Sequence, residues 1–310
     1  MTRSVPELSL KAFTEGDAAA RAAFSTDLMH GLMDYGFIIL ADHGVQPELL
    51  ARAYAESAGL FALPETEKRR YAKGLRGYTP FGTEHAKDSG VADLKEFWQI
   101  GHEPPPADAA PDEAFPANVW PQDRPGFRDT FSALFAALNE TGLSLLRALA
   151  PQLGVAADYF DARVRYGTSI LRVLHYPPTP PGADPRALRA APHEDINFLT
   201  LLVAAKGAGL ELLDRDGTWL PVETDPRNLI VDSGDMLQRL TNGMIPATTH
   251  RVVNPTGPNL SRYSMPFFLH PTLATSLAPL PACRGDGPKW PEVTAGEFLA
   301  ERLTAIGLGG

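Results

Sequence analysis

Cysteine is nearly absent from this chain: of 310 residues only Cys283 carries a thiol, so no internal disulfide can form. A disulfide-stapled small fold is excluded. Cys283, in Pro281-Ala-Cys-Arg-Gly-Asp-Gly287 and away from every other candidate group, reads as an incidental thiol. Long apolar runs are missing as well. No stretch reaches the ~18 uninterrupted apolar residues a spanning helix needs, and Met1-Thr-Arg-Ser-Val-Pro-Glu7 has no apolar core behind its basic residue. A soluble, cytoplasmic protein with no membrane partner is the expectation. Basic clusters are lacking too: 28 Lys and Arg against 37 Asp and Glu give a net charge of −9, and phosphate backbones are bound by clustered cations that no segment supplies, so no nucleic acid is expected as partner. Internal repeats and clear linkers are also missing, and oligomeric state is left open.

What is present is apolar spacing. Phe24, Leu28, Leu32 and Tyr35 recur every three or four residues and Gly36 follows, the pattern of an amphipathic helix with a glycine stop. Phe37 to Ala41 reads as a buried strand, Pro47 as the first residue of a helix with Leu50, Tyr54 and Phe61 inward, and Phe127, Phe131, Leu134, Leu138, Leu145 and Leu149 as one face of a long helix ending near Pro151. From Ser169 short apolar or β-branched runs alternate with turn signals, among them Asp214-Arg-Asp-Gly217 and Thr241-Asn-Gly243. Two breaker-rich segments, Glu103 to Pro116 and Pro177 to Pro192, read as loops, the first near a site mouth. The fold class is α+β with a mainly β core, a double-stranded β-helix or jelly roll, with N-terminal helices bracing one face.

Chemistry concentrates in His193-Glu194-Asp195, His250 and Arg262-Tyr263-Ser264. In extended backbone His193 and Asp195 project to one side and Glu194 to the other. His250, in the β-branched stretch Ala247 to Val253, reads as the third ligand arriving on another strand. Two imidazoles and one carboxylate hold one face of a ferrous ion and leave the other open. Arg262 and Ser264 share a strand face and form a receptor for a carboxylate, the guanidinium through two parallel hydrogen bonds and the hydroxyl through a third. Charges balance if the guest is 2-oxoglutarate: its two negatives and Asp195 offset ferrous iron and Arg262, which matters where water is excluded.

The runs Leu171-Arg-Val-Leu-His-Tyr-Pro-Pro178, His193 to Leu202, Gly234-Asp-Met-Leu-Gln-Arg-Leu-Thr-Asn-Gly243, His250-Arg-Val and Arg262 to Phe268 resemble the isopenicillin N synthase-like branch of the iron(II)/2-oxoglutarate-dependent dioxygenases. Asp34 to Val45, Phe61 to Lys68 and Asp93 to Trp98 resemble the family's N-terminal region, so the likeness spans about residues 5 to 272. It implies His193, Asp195 and His250 as iron ligands, Arg262, Ser264 and Tyr176 as contacts of 2-oxoglutarate, and O2 as the second cosubstrate. It also implies one oxygenase domain over 1–310, helix-rich through 150, with a jelly-roll core over 165–272. Two departures stand out: Leu174, where plant members usually carry asparagine, and twelve residues from His250 to Arg262, with Asn254 to Asn259 expected as an enlarged hairpin loop.

A small organic substrate is expected, with hydroxylation as the first expectation for its oxidation. Arg172 shares a face with Tyr176 and is placed to meet an acidic substrate group, though a structural arginine fits as well. Asp93, Lys95 and Glu96 approach the cavity or form a surface ion-pair network. His43 and His175 read as structural, His270 sits too near the Arg262 strand to replace His250, and His30, His85 and His102 take no role. Alternatives are ethylene-forming fragmentation of 2-oxoglutarate, suggested locally by Leu171-Arg-Val-Leu174, a zinc hydrolase on the same ligands, and a non-enzymatic jelly-roll binding protein.

Overall fold

Ile38, Leu40, Leu201, Phe267 and Leu269 are fully buried on alternating strand positions, and so are the helix residues Leu134, Leu138 and Leu145 that meet them. That meeting of helix stripe and sheet face is the main core. The computed structural model describes residues 3–84, 91–103, 116–203 and 209–305. Of the breaker-rich segment expected near the site mouth, residues 104–115 lie outside the described residues, as does His85.

The strands are β1 (Glu7–Ser9), β2 (Phe37–Ala41), β3 (Ala72–Lys73), β4 (Arg76–Thr79), β5 (Glu96–Gly101), β6 (Ile170–Tyr176), β7 (Ala190–His193), β8 (Leu199–Val203), β9 (Leu210–Leu213), β10 (Trp219–Pro221), β11 (Leu229–Ser233), β12 (His250–Val252) and β13 (Arg262–Leu269). They form a nine-stranded sheet ordered β1-β2-β11-β8-β13-β6-β5-β4-β3 and a four-stranded sheet ordered β10-β9-β12-β7. Pairing is antiparallel except between β1 and β2. This is the expected jelly roll, enlarged at both edges of one sheet by strands from the N-terminal region.

The helices Ala18–Tyr35, Pro47–Phe61 and Pro125–Leu149 cover one face of the large sheet, as expected. The first begins on Asp17, whose carboxylate accepts from Ala20 N–H at 2.9 Å, and stops at Gly36, which takes φ +67°. A side chain would be strained there. The Pro125–Leu149 helix buries all six residues of its expected stripe, and Phe135 meets Phe267 of β13 edge-on at 5.0 Å. Strands between helices and the second sheet are buried on both faces, which is why Phe37 to Leu40 is an unbroken apolar run. A second apolar cluster, with Phe37, Leu212, Ile230 and Val252, fills the space between the sheets.

Several expectations need correction. β12 and β13 lie in different sheets, so the segment 253–261 is a crossover and not a hairpin loop. The strand expected across Ala247 to Val253 is only three residues long, and Thr248, just before it, donates its hydroxyl to Tyr35 O. β7 begins inside the loop expected to run to Pro192. Thr241 to Gly243 ends a helix, Asp235–Leu240, with Asn242 and Gly243 both at positive φ, where only turn chemistry was legible. The helix Ala295–Ala305 had no reading in the sequence.

Candidate metal and anion site

His250 of β12 and His193 of β7 stand directly opposite each other in the register of the small sheet. Each imidazole is oriented by its own backbone: His193 Nδ1 lies 2.8 Å from Ala191 O and His250 Nδ1 lies 3.1 Å from Thr248 O. With Nδ1 occupied, Nε2 is the nitrogen each ring has left to offer a metal. Asp195, two residues past the end of β7, brings Oδ1 to 3.6 Å from His193 Nε2 and 3.9 Å from His250 Nε2. One potential ligand atom from each residue falls within 4.8 Å of the others, the only such trio of its kind among the described residues. The alternation argument thus brings together the residues it named, although Asp195 sits beyond the strand and not in it.

Asp195 is positioned from behind. Its Oδ2 accepts a hydrogen bond from Thr200 Oγ1, whose oxygen in turn accepts from Asn197 Nδ2 at 2.8 Å, and its backbone carbonyl accepts from Asp235 N–H at 2.7 Å. Gly234 makes this possible, because a Cβ there would lie 2.4 Å from Asn197 Oδ1 and 2.5 Å from Asn197 O. The signal for Thr200 and Asn197 was invisible in the sequence: their offsets from Asp195 mean nothing until the turn between β7 and β8 is known. Burial works against the ionised form, yet the two imidazoles hold the Asp195 carboxyl below its ordinary range. Burial and the neighbouring His250 push His193 down to about 4, leaving a neutral ring, the form that binds metal. Asp232 of β11, fully enclosed beside Asp195, is raised well above the carboxylate range by burial and by that neighbour's charge.

Across the cavity, on the large sheet, Arg262 pairs with Tyr176 and Ser264 with Leu174. Arg262 is buried, its guanidinium lies 5.1 Å from the Tyr176 ring centroid, and its Nε and Nη1 have no hydrogen-bond partner among the described residues. No described acid forms an ion pair with it. A buried guanidinium with unpaired donors is costly unless a guest supplies the acceptor. Arg189, just before β7, was not singled out in the sequence: it is buried, donates to Leu260 O at 2.6 Å, and has its pKa lowered by burial and by Arg262.

The same cavity is lined by Arg172 and Lys95, with Leu174, Pro266 and Phe268 between the poles. Arg172 lines the cavity, one of its two readings, and is also bonded to Gln99 and Glu84, as a structural arginine would be. Asp93, Lys95 and Glu96, read as approaching the cavity or forming a surface ion-pair network, divide: Lys95 lines the cavity and pairs with buried Asp93 at 2.8 Å, whereas buried Glu96 points to the other side of β5. There it accepts from Lys68 Nζ at 2.6 Å, from Tyr78, and from His175 at 2.7 Å. His175 is therefore structural, stacked between Phe61 and Tyr263, and so is His43, whose Nε2 lies 2.7 Å from Arg227 O.

Comparison with known proteins bears on this geometry. Residues 5–123 match the family described as non-haem dioxygenase in morphine synthesis N-terminal, and residues 167–271 match the 2OG-Fe(II) oxygenase superfamily. The chain is 33% identical over 275 residues to a 2-oxoglutarate-dependent dioxygenase of Dothideomycetidae sp., covering 82% of this chain and 79% of that protein. It is 30% identical to the validamycin A dioxygenase of Streptomyces hygroscopicus subsp. limoneus, over 97% of this chain and 86% of that one. Among solved structures, a full-length Neurospora crassa protein in complex with α-ketoglutarate and thymine aligns with a TM-score of 0.86 at 28% identity, covering 97% of this chain and 96% of that one. A Caulobacter crescentus protein described under the 2OG-Fe(II) oxygenase family gives 0.86 at 38% identity, over 98% and 100%.

Proposed function

Since the chain belongs to the 2OG-Fe(II) oxygenase superfamily, and is a dioxygenase dependent on iron(II) and 2-oxoglutarate, we propose that His193, Asp195 and His250 hold the iron and that Arg262, Ser264 and Tyr176 receive the distal carboxylate of the oxo acid. One observation carries this assignment: a buried guanidinium with two unpaired nitrogens opens into the same cavity as a trio of metal-ligand atoms. Both guests fit the residues present. Two imidazoles and a carboxylate suit a divalent ion with open positions, and Arg262 with the Ser264 hydroxyl supplies donors that match a carboxylate.

When bound, iron and 2-oxoglutarate supply the oxidising power, with O2 consumed and succinate and carbon dioxide released. The chain's own part is arrangement. Thr200 fixes one Asp195 oxygen and leaves the other facing the imidazoles. Ala191 O and Thr248 O lock both ring tautomers. Leu174, Leu202, Leu210, Val252, Pro266 and Phe268 surround the reactive space with apolar surface and keep bulk water from it. We read Arg172 as the substrate-side contact. The substrate is a small organic molecule, a reading supported by the thymine bound to the Neurospora protein, and hydroxylation is its most direct outcome. The absence of a nucleic-acid partner accords with the net charge of −9. No helix among the described residues is long and apolar enough to cross a membrane. A single-domain organisation over 1–310, with the site in 165–272, fits the sheets that join both regions.

The test is binding of 2-oxoglutarate to the manganese-loaded protein by calorimetry. Arg262→Ala is expected to keep the metal and to weaken 2-oxoglutarate by about 10-fold to 100-fold, the scale of hydrogen bonds to a charged group. Unchanged affinity in that variant would overturn the anchor.

A further inference from the structure

The cavity has a second charged pole, with two cations facing the space and two carboxylates paired behind them, and its position decides whom it serves. Arg172 lies four residues before Tyr176 on β6, and Tyr176 faces Arg262 across the β6–β13 ladder. At about 3.3 Å per residue the two arginine positions are separated by about 13 Å along the sheet. The five-carbon backbone of 2-oxoglutarate, four bonds of about 1.5 Å each, is far shorter. A cosubstrate held at Arg262 covers only about half of that backbone spacing, which leaves room at the second pole for another guest.

Four charges, all largely withdrawn from solvent, make that pole. Lys95 Nζ lies 2.8 Å from both Glu84 Oε2 and Asp93 Oδ2. Arg172 Nη1 reaches Glu84 at 3.2 Å, while its Nε and Nη2 share the Gln99 side-chain oxygen at 3.3 and 2.9 Å. The guanidinium is further fixed between the Phe97 and Phe268 rings, with centroids at 4.3 and 5.5 Å. Asp93 is committed elsewhere, since it also accepts the Ala191 N–H at 3.0 Å. Against the opposing effect of burial, Arg172 and Lys95 hold Glu84 down at about 2.

Donors are in surplus here. Bonds to described residues engage two of the three Lys95 protons and, in four contacts, up to four of the five on Arg172, so each cavity-lining cation keeps at least one hydrogen to give. Enclosing such a cluster brings little stability compared with apolar side chains of the same volume, and the rest of this wall is apolar. A cationic guest would have to approach an ammonium and a guanidinium. A planar acceptor of opposite charge meets the free hydrogens directly.

We propose that the substrate is a small carboxylic acid whose carboxylate is received by Arg172 and Lys95, with Glu84 and Gln99 holding the two cations in place. This rests on the assignment of Arg262 to 2-oxoglutarate, because the same pole would otherwise be open to the cosubstrate. The test uses the full chain loaded with manganese(II) and 2-oxoglutarate. A panel of small carboxylic acids, each accompanied by its primary amide and methyl ester, is screened by ligand-observed NMR and by succinate formation with iron(II). At least one acid is expected to bind by about ten-fold or more over its neutral partners, the scale of discrimination a hydrogen-bonding site makes. Arg172→Gln should reduce that preference to near unity. Lys95→Met serves the same purpose should Arg172→Gln melt early in circular dichroism. Acids that bind no better than their amides throughout the panel, or a folded Arg172→Gln protein that keeps the preference, would overturn the proposal. Loss of 2-oxoglutarate binding by the wild-type protein would instead indict the Arg262 assignment, and the two failures are read on separate ligands.

Discussion

At the residue level the site depends on side chains that hold other side chains. Thr200 donates to the Asp195 oxygen that does not face the imidazoles, and Asn197 holds Thr200. Thr200→Val, nearly isosteric, is expected to weaken manganese or cobalt binding by about 10-fold to 100-fold, while Thr200→Ser stays near wild type. Metal titration by calorimetry separates the two. His102 makes a second prediction. Burial, and then the Arg76 charge, press its pKa to about 4, below the ordinary 6.5, so the unfolded chain takes up a proton that the folded chain refuses. Its share of stability is complete above pH 6.5 and is lost as the pH falls through that value toward 4. Urea midpoints of the metal-free protein, measured from about pH 7.5 to about pH 4.5 across that window, should fall less steeply in His102→Phe, whose ring keeps the edge contact with Phe135. An equal slope in both proteins would refute this. His193, Asp195, His250, Arg262 and Ser264 were legible because strand alternation puts paired chemistry on one face. Lys95 and Asp93 were legible as charges that could turn to the cavity or to the surface, and the Ala191 N–H that ties Asp93 inward is announced by no spacing.

At the element level, the helices were legible because their apolar stripes repeat at helical spacing, and the crossover from β12 to β13 was not, because a loop's sequence does not say which sheet the chain enters next. The Pro125–Leu149 helix supports the sheet that carries Arg262, through contacts with β8 and β13. Leu134, fully buried on its stripe, gives a direct measure: Leu134→Ala should cost about 2–5 kcal/mol by chemical denaturation. A loss under about 1 kcal/mol would mean the helix is not integral to the core. Gly234 joins element to site. Gly234→Ala must displace the Asn197 backbone, so reduced metal affinity is expected to exceed any loss in melting temperature.

For the whole molecule, a jelly roll with helices on one face was readable from the change of pattern near Ser169. The enlargement of one sheet to nine strands was not, because β1, β3 and β4 are two to four residues long and carry no periodic signal. Metal binding should stabilise the folded chain as a unit, by about 2.7 kcal/mol at a hundred times the dissociation constant. Manganese should therefore raise the melting temperature of wild type and leave Asp195→Ala unmoved. A matching rise in that variant would place the ion elsewhere.

The two imidazoles ride on the four-stranded sheet, whereas the guanidinium opposite them rides on the nine-stranded one. An ion joined to an oxo acid would then work as a rivet through two plates. Amide hydrogen exchange in β7 and β12 should slow when the ion is added and slow further when the oxo acid joins it, since the pair together spans both plates.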